Sequence, residues 1–124
     1  MELTTLATFA FLLTVKHTIC DLALQRLYPA DKSFYFNKAA HTHYFHHGVG
    51  SFFIGLMFSP YFAVAVGLLD YLIHWHVDHW KTLVRNHYGW TSEDDRFWIL
   101  QTVDQILHFL TYFLFVLSAI YIYA

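Results

Sequence analysis

Cysteine is all but absent: Cys20 is the only one in 124 residues, so no intramolecular disulfide forms and the redox compartment leaves no mark on the chain. Charge is scarce as well. Lys, Arg, Asp and Glu make up 13% of the sequence and the formal net charge is -2, which leaves no electrostatic case for a nucleic-acid partner. No low-complexity segment or separable linker interrupts the chain, so one domain over residues 1–124 is expected. The first fifteen residues, Met1 to Val15, are apolar but lack a basic start and a small-residue cleavage site. They are read as a first helix that stays, not as a removable signal peptide.

Apolar surface is what the chain has in excess. With 57% hydrophobic residues it is too greasy for an ordinary soluble domain and reads as an integral membrane protein. Windows of roughly 20 apolar residues fall near 3–28, 43–59, 60–83 and 95–123, which predicts an all-α, four-transmembrane-helix bundle. The second window is the weakest, because it opens on the histidine-rich stretch HTHYFHHGVG. Ser59 and Pro60 suit an N-cap and first helical position, and Thr91 and Ser92, each with an aspartate three residues on, suggest a capping box. Glu93, Asp94 and Asp95 are accordingly helix-start residues rather than ligands. Arg26, Lys32, Lys38, Lys81, Arg85 and Arg96 all fall at one end of such a bundle, which the positive-inside rule makes cytoplasmic, with both termini outside. Lys16 is the exception.

The few polar residues are not scattered. Positions four apart share a helix face, and His17, Asp21, Gln25 form one such stripe, Asp70, His74, Asp78 a second, and Asp104, His108 a third in reversed order. Because the last helix runs opposite to the first and third, the reversal puts Asp21, Asp78 and Asp104 at one depth and His17, His74 and His108 one turn deeper. The second helix adds His43, His46 and His47 near the same end, with His47 favoured and His46 second. His76 and His79 point away from His74. Gly48, Gly50 and Gly55 are read as close-packing positions. Any one His/Asp pair could be structural glue between helices, but three pairs in matching layers point to a functional polar cluster.

Imidazole with carboxylate suits zinc, manganese or iron, and three histidines with three aspartates suffice for one or two such ions. His17, Asp21, His47, His74, Asp78, Asp104 and His108 are the candidate metal ligands, and Asp78, Lys81 and Asp104 the candidate catalytic residues. Lys81, one turn beyond Asp78, stands where it could hold phosphate. The expected activity is therefore metal-dependent hydrolysis at the cytoplasmic interface of a phosphate- or ester-bearing substrate, a small molecule or a membrane lipid. Asp70 is open between ligand, acceptor for an imidazole N–H and helix-pairing group.

The ordered set His17-x3-Asp21-x3-Gln25, Lys38, a second-helix histidine, His74-x3-Asp78-x2-Lys81 and Asp104-Gln105-x2-His108 resembles the membrane family catalogued as domain of unknown function 3307. The match runs over about residues 16–108. The resemblance implies a bacterial inner-membrane protein, with phage members leaving a phage origin open. A family similar to it is described as membrane-bound, metal-dependent hydrolases.

Three rival readings use the same residues. His43, His46 and His47 fit one His-x2-His-His box of membrane di-iron desaturases and hydroxylases, although no second complete box exists. Facing histidines could ligate haem, or an Asp/His chain could carry metal or protons across without hydrolysis. The aromatic tail FLTYFLFVLSAIYIYA would suit a structural or lysis-related protein acting as a homo-oligomer.

Overall fold

Ser59 and Pro60 make the sharpest helix start in the chain. The Ser59 hydroxyl accepts the Phe62 backbone N–H at 3.1 Å and proline, which has no N–H to lose, takes the first helical position. This computed structural model describes all residues, 1–124, and resolves them into four long helices. α1 covers Leu3–Leu27, α2 Lys38–Gly55, α3 Pro60–Tyr88 and α4 Asp95–Tyr123. Within α1, Ile19–Leu24 form a π-helical turn.

Three boundaries differ from those read in the sequence. α2 starts at Lys38 and stops at Gly55 instead of covering 43–59, because Asn37 Oδ1 accepts the Ala40 N–H at 2.9 Å and opens the helix earlier. α3 continues past residue 83 to Tyr88, its polar last turns being no obstacle to helix outside an apolar layer. Thr91 and Ser92 do not cap α4. Instead Asp94 occupies the cap position and turns back to accept the Thr91 N–H at 2.9 Å.

The helices pack in a ring in which α1 touches α2 and α4, and α3 touches the same two. All four therefore face one axis. Along it the core divides in two. One half is apolar, built on Phe9, Leu13, Phe62, Val66, Tyr112, Phe115 and Ala119. The other holds Lys16, His17, His43, His47, Asp70, His74, Asp78, Asp104 and His108, all buried. Buried polar side chains outnumber buried apolar ones, while large apolar residues such as Phe11, Phe53, Leu68, Ile99 and Phe113 stand exposed. This inverts the usual arrangement of a water-soluble domain.

Length and composition make α1 and α4 capable of crossing a membrane; α2 and α3 fall short, since the histidines of α2 and the Asp70–Lys81 stripe of α3 lower their hydropathy. Among the residues that lower it, His43, His47, Asp70, His74 and Asp78 are turned into the core.

Small residues set the distance between α2 and α3. A Cβ added to Gly48 would lie 2.9 Å from the Gly67 carbonyl oxygen and 3.1 Å from Tyr71 Cβ, so the two backbones meet where neither can carry a side chain. Gly50 plays the same part against α1, where the Lys16 stem lies 2.5 Å from an added Cβ. We expect Gly48→Ala to lower stability by about 1–3 kcal/mol through overpacking, read as a fall in the thermal midpoint in detergent. An unchanged midpoint would mean that α2 and α3 do not approach this closely.

Candidate metal centre

The π-helical turn begins two residues after His17, and Lys16, His17, Cys20 and part of Asp21 face inward around its start. Single π turns of this kind recur at functional sites. From α2 the inward stripe is His43, His47 and Ser51; from α3, Asp70, His74 and Asp78; from α4, Asp104, His108 and Tyr112. Each is a four-residue repeat on one face.

The structure brings every sequence-derived ligand position into this core, in two adjoining groups. His17, Asp21, His47 and His74 each offer an atom within 4.8 Å of the others, and so do Asp78, Asp104 and His108. Asp21 is the hub of the first, with His47 Nε2 at 2.8 Å from Oδ1 and His17 Nε2 at 3.1 Å from Oδ2. In the second, His108 Nε2 lies 3.1 Å from Asp78 and 3.3 Å from Asp104. The imidazoles form one layer, His74 stacked on His47 at 3.5 Å and on His108 at 3.8 Å between ring centroids. Rings in such contact leave no room for a haem between them.

His74 has the orientation of a ligand. Its Nδ1–H donates to Asp70 Oδ1 at 2.8 Å, which fixes the tautomer and leaves the Nε2 lone pair buried and without a partner. Asp70 is thus the acceptor that aims an imidazole. It also takes a 2.6 Å bond from Lys16 and a short one from Ser51. His43 reaches the seam between the groups, its Nε2 3.4 Å from Asp21 and 3.5 Å from Asp78, and neither ring nitrogen has a hydrogen-bond partner. Asp104 Oδ1 accepts no hydrogen bond either, its near neighbour being His108 Nε2 at 3.3 Å. Buried polar atoms left without partners are rare, and their gathering in these two adjoining groups and the seam between them fits an ion-binding centre.

Three lysines enter this core. Lys16 bonds Asp70, the Tyr112 hydroxyl at 2.9 Å and His47 Nδ1 at 3.2 Å. Lys32, on the loop after α1, reaches in to Asp78 at 2.7 Å, while His79 Nδ1–H donates to the Lys32 carbonyl and pins that loop. Lys81 pairs with Asp104 at 3.2 Å. Asp21, Asp70, Asp78 and Asp104 thus face Lys16, Lys32 and Lys81, and Asp21 alone of the four pairs with no lysine. In the sequence Lys32 reads as flanking charge, Lys16 as the exception to it and Lys81 as the mouth of the site; the geometry puts all three on carboxylates.

Sequence reasoning named His43 only among the three α2 candidates, behind His47 and His46, and missed Lys16, Lys32, Ser51 and Tyr112. Tyr112 and Ser51 had a signal, being one further four-residue step beyond His108 and His47. The second-choice His46 turns out of the core and packs on Tyr28, which takes apart the His-x2-His-His box. His76 bonds Tyr35 and the Leu72 carbonyl, outside the cluster as expected. Lys38, Arg26 and Arg96 are exposed and lie on no part of the site.

Two cavities meet at the cluster. One of about 320 Å³ lies between α1 and α4 and is lined by His17, Asp21, Leu22, Gln105 and Phe109. The other, of about 640 Å³, sits over the bundle end against Lys32, Lys81, Arg85 and Asn86. Gln25, Lys81 and Gln101 line both. Compared with protein-family models, curated proteins and solved structures, the chain matches none of them, so its ordered motifs and the geometry of this core carry the functional reading alone.

Proposed function

We propose that the protein is a membrane-embedded, metal-dependent hydrolase of a phosphate- or ester-bearing substrate. The observation that carries the reading is His74 Nε2, a buried lone pair aimed by Asp70 into the group formed with His17, Asp21 and His47. A carboxylate behind an imidazole is the usual support of a metal-ligating histidine. A divalent ion held there supplies Lewis-acid polarisation of a phosphoryl or acyl oxygen and makes a nearby water more acidic. One ion in the first group is favoured over two, since Lys32 and Lys81 already pair with Asp78 and Asp104 in the second. The four-helix membrane placement rests on the inverted surface and on the polar faces of α2 and α3 being turned inward.

The chain's own residues take the remaining roles. Gln105, within 2.9 Å of His17 Nε2 and 3.0 Å of Asp104, orients both groups. Asp104, whose Oδ1 accepts no hydrogen bond and lies beside His108, accepts a proton from the attacking water as that water's oxygen bonds to phosphorus or carbonyl carbon. The bond to the leaving oxygen breaks, and the proton passes to that oxygen. Lys81 offsets the negative charge that develops, and Asp78 holds His108 and Lys32 beside the reacting centre. Transport is less well supported, because the apolar half of the core closes the bundle axis beyond Asp70.

The test is a hydrolysis assay on zinc- or manganese-loaded protein with p-nitrophenyl phosphate and p-nitrophenyl butyrate. Asp104→Asn is expected to keep its metal and lose about 10²–10⁴-fold in kcat. A metal-loaded wild type that cleaves neither probe, or a fully active Asp104→Asn, would overturn the assignment.

A further inference from the structure

We infer that the substrate is a lipid phosphomonoester that enters sideways between α1 and α4, its headgroup resting in the cleft at the bundle end; this rests on the hydrolase reading above. The two cavities are one trough. They share Gln25, Lys81 and Gln101, so a ligand in the cleft reaches the His17–Asp21 face without leaving cover.

The trough is polar at one end and greasy at the other. At the cleft end Lys81 and Arg85 lie four residues apart on one face of α3. Arg85 makes no close ion pair, its one side-chain bond being to its neighbour Asn86 at 3.3 Å, and the one carboxylate lining the cleft, Asp31, is turned to Ser33, so a guanidinium faces the cleft. A guanidinium beside an ammonium suits the oxygens of a dianionic phosphate. At the other end the rim is Leu22 and Phe109, 68% and 43% exposed, with Phe109 packed against the His17 ring at 5.2 Å. Those two residues belong to α1 and α4, the two helices long and apolar enough to cross a membrane. An opening between such helices meets acyl chain, while the cleft beyond it meets headgroup. A cleft of about 640 Å³ is ample for a glycerol phosphate head. A soluble phosphate ester would need the cleft but not the rim.

Manganese-loaded protein separates these cases without turnover. Bound manganese broadens the phosphorus resonance of any phosphate held near it, and elemental analysis reports manganese uptake independently. The probes are phosphatidic acid in phosphatidylcholine bicelles and water-soluble glycerol 3-phosphate. Wild type is expected to broaden both. Leu22→Trp, which fills the lateral opening at an exposed position, is expected to lose the lipid effect while keeping its manganese and the glycerol phosphate effect. Arg85→Gln is expected to weaken both. Undiminished lipid broadening in Leu22→Trp would overturn lateral entry, and broadening of glycerol phosphate alone would make the substrate soluble. Manganese uptake with no phosphate effect overturns the lipid proposal only; a folded protein that takes up no manganese overturns the metal reading and this proposal with it.

Discussion

Replacing His74 by alanine is expected to lower affinity for a divalent ion by more than about 100-fold, since outer partners of a metal ligand alone are worth about 10–100-fold. The reason is local. His74 sits at the centre of the imidazole layer, stacked on His47 and His108, and presents the one ring nitrogen already free of a proton partner in the first group. His47 and His17 meet Asp21 and Gln105 through Nε2, so each gives up a hydrogen-bond partner when it ligates. Equilibrium dialysis against zinc, with circular dichroism to verify helix content, reads the effect. Metal content equal to wild type in folded His74→Ala would remove His74 from the site.

Asp70→Ala is expected to be the most destabilising single change in the core. It strips Lys16 of its 2.6 Å counter-ion and leaves Ser51 and His74 Nδ1 without their acceptor. Removing one partner of a buried pair costs about 3–5 kcal/mol, because the other charge stays buried alone. The same change lets the His74 ring turn, so metal affinity should fall by about 10–100-fold as well. The double variant Lys16→Met with Asp70→Leu separates the two effects: the part of the stability lost to the unpaired Lys16 returns, while Ser51 and His74 still lack their acceptor and the loss of affinity stays. Unfolding in mixed detergent micelles measures the first and dialysis the second. A stable Asp70→Ala single variant would mean that the Lys16–Asp70 pair contributes little.

The layered His/Asp core was legible because four-residue spacing survives any detail of helix packing. His74 with Asp78 and Asp104 with His108 needed only the antiparallel course of α3 and α4 to meet. His43 was the harder choice, since His43, His46 and His47 crowd one stretch. The tie is broken by Ser51, which extends the His43–His47 stripe and joins Asp70. Lys32 was not legible at all, because it arrives from a loop turned by Asp31, whose Oδ1 accepts the Ser33 backbone N–H at 2.9 Å. Lysines at helix ends read as flanking charge whether they face water or a carboxylate, and only packing tells them apart. Lys16 offered a clue, as an ionisable group in an apolar helix is functional by default. Only two of the four expected spans, α1 and α4, are long and apolar enough to cross a membrane, because the polar side chains of α2 and α3, among them the buried His43, His47, Asp70, His74 and Asp78 that build the site, lower the average hydropathy of those helices.

The central claim is that this polar core holds a metal ion, and an X-ray absorption spectrum of detergent-purified protein after zinc loading tests it most directly. One tightly held ion per chain, with only nitrogen and oxygen neighbours at about 2.0–2.2 Å and the outer scattering of several imidazoles, is the predicted result. Folded protein that retains no ion, or an ion whose shell contains the sulfur of Cys20 instead of imidazole, would contradict it.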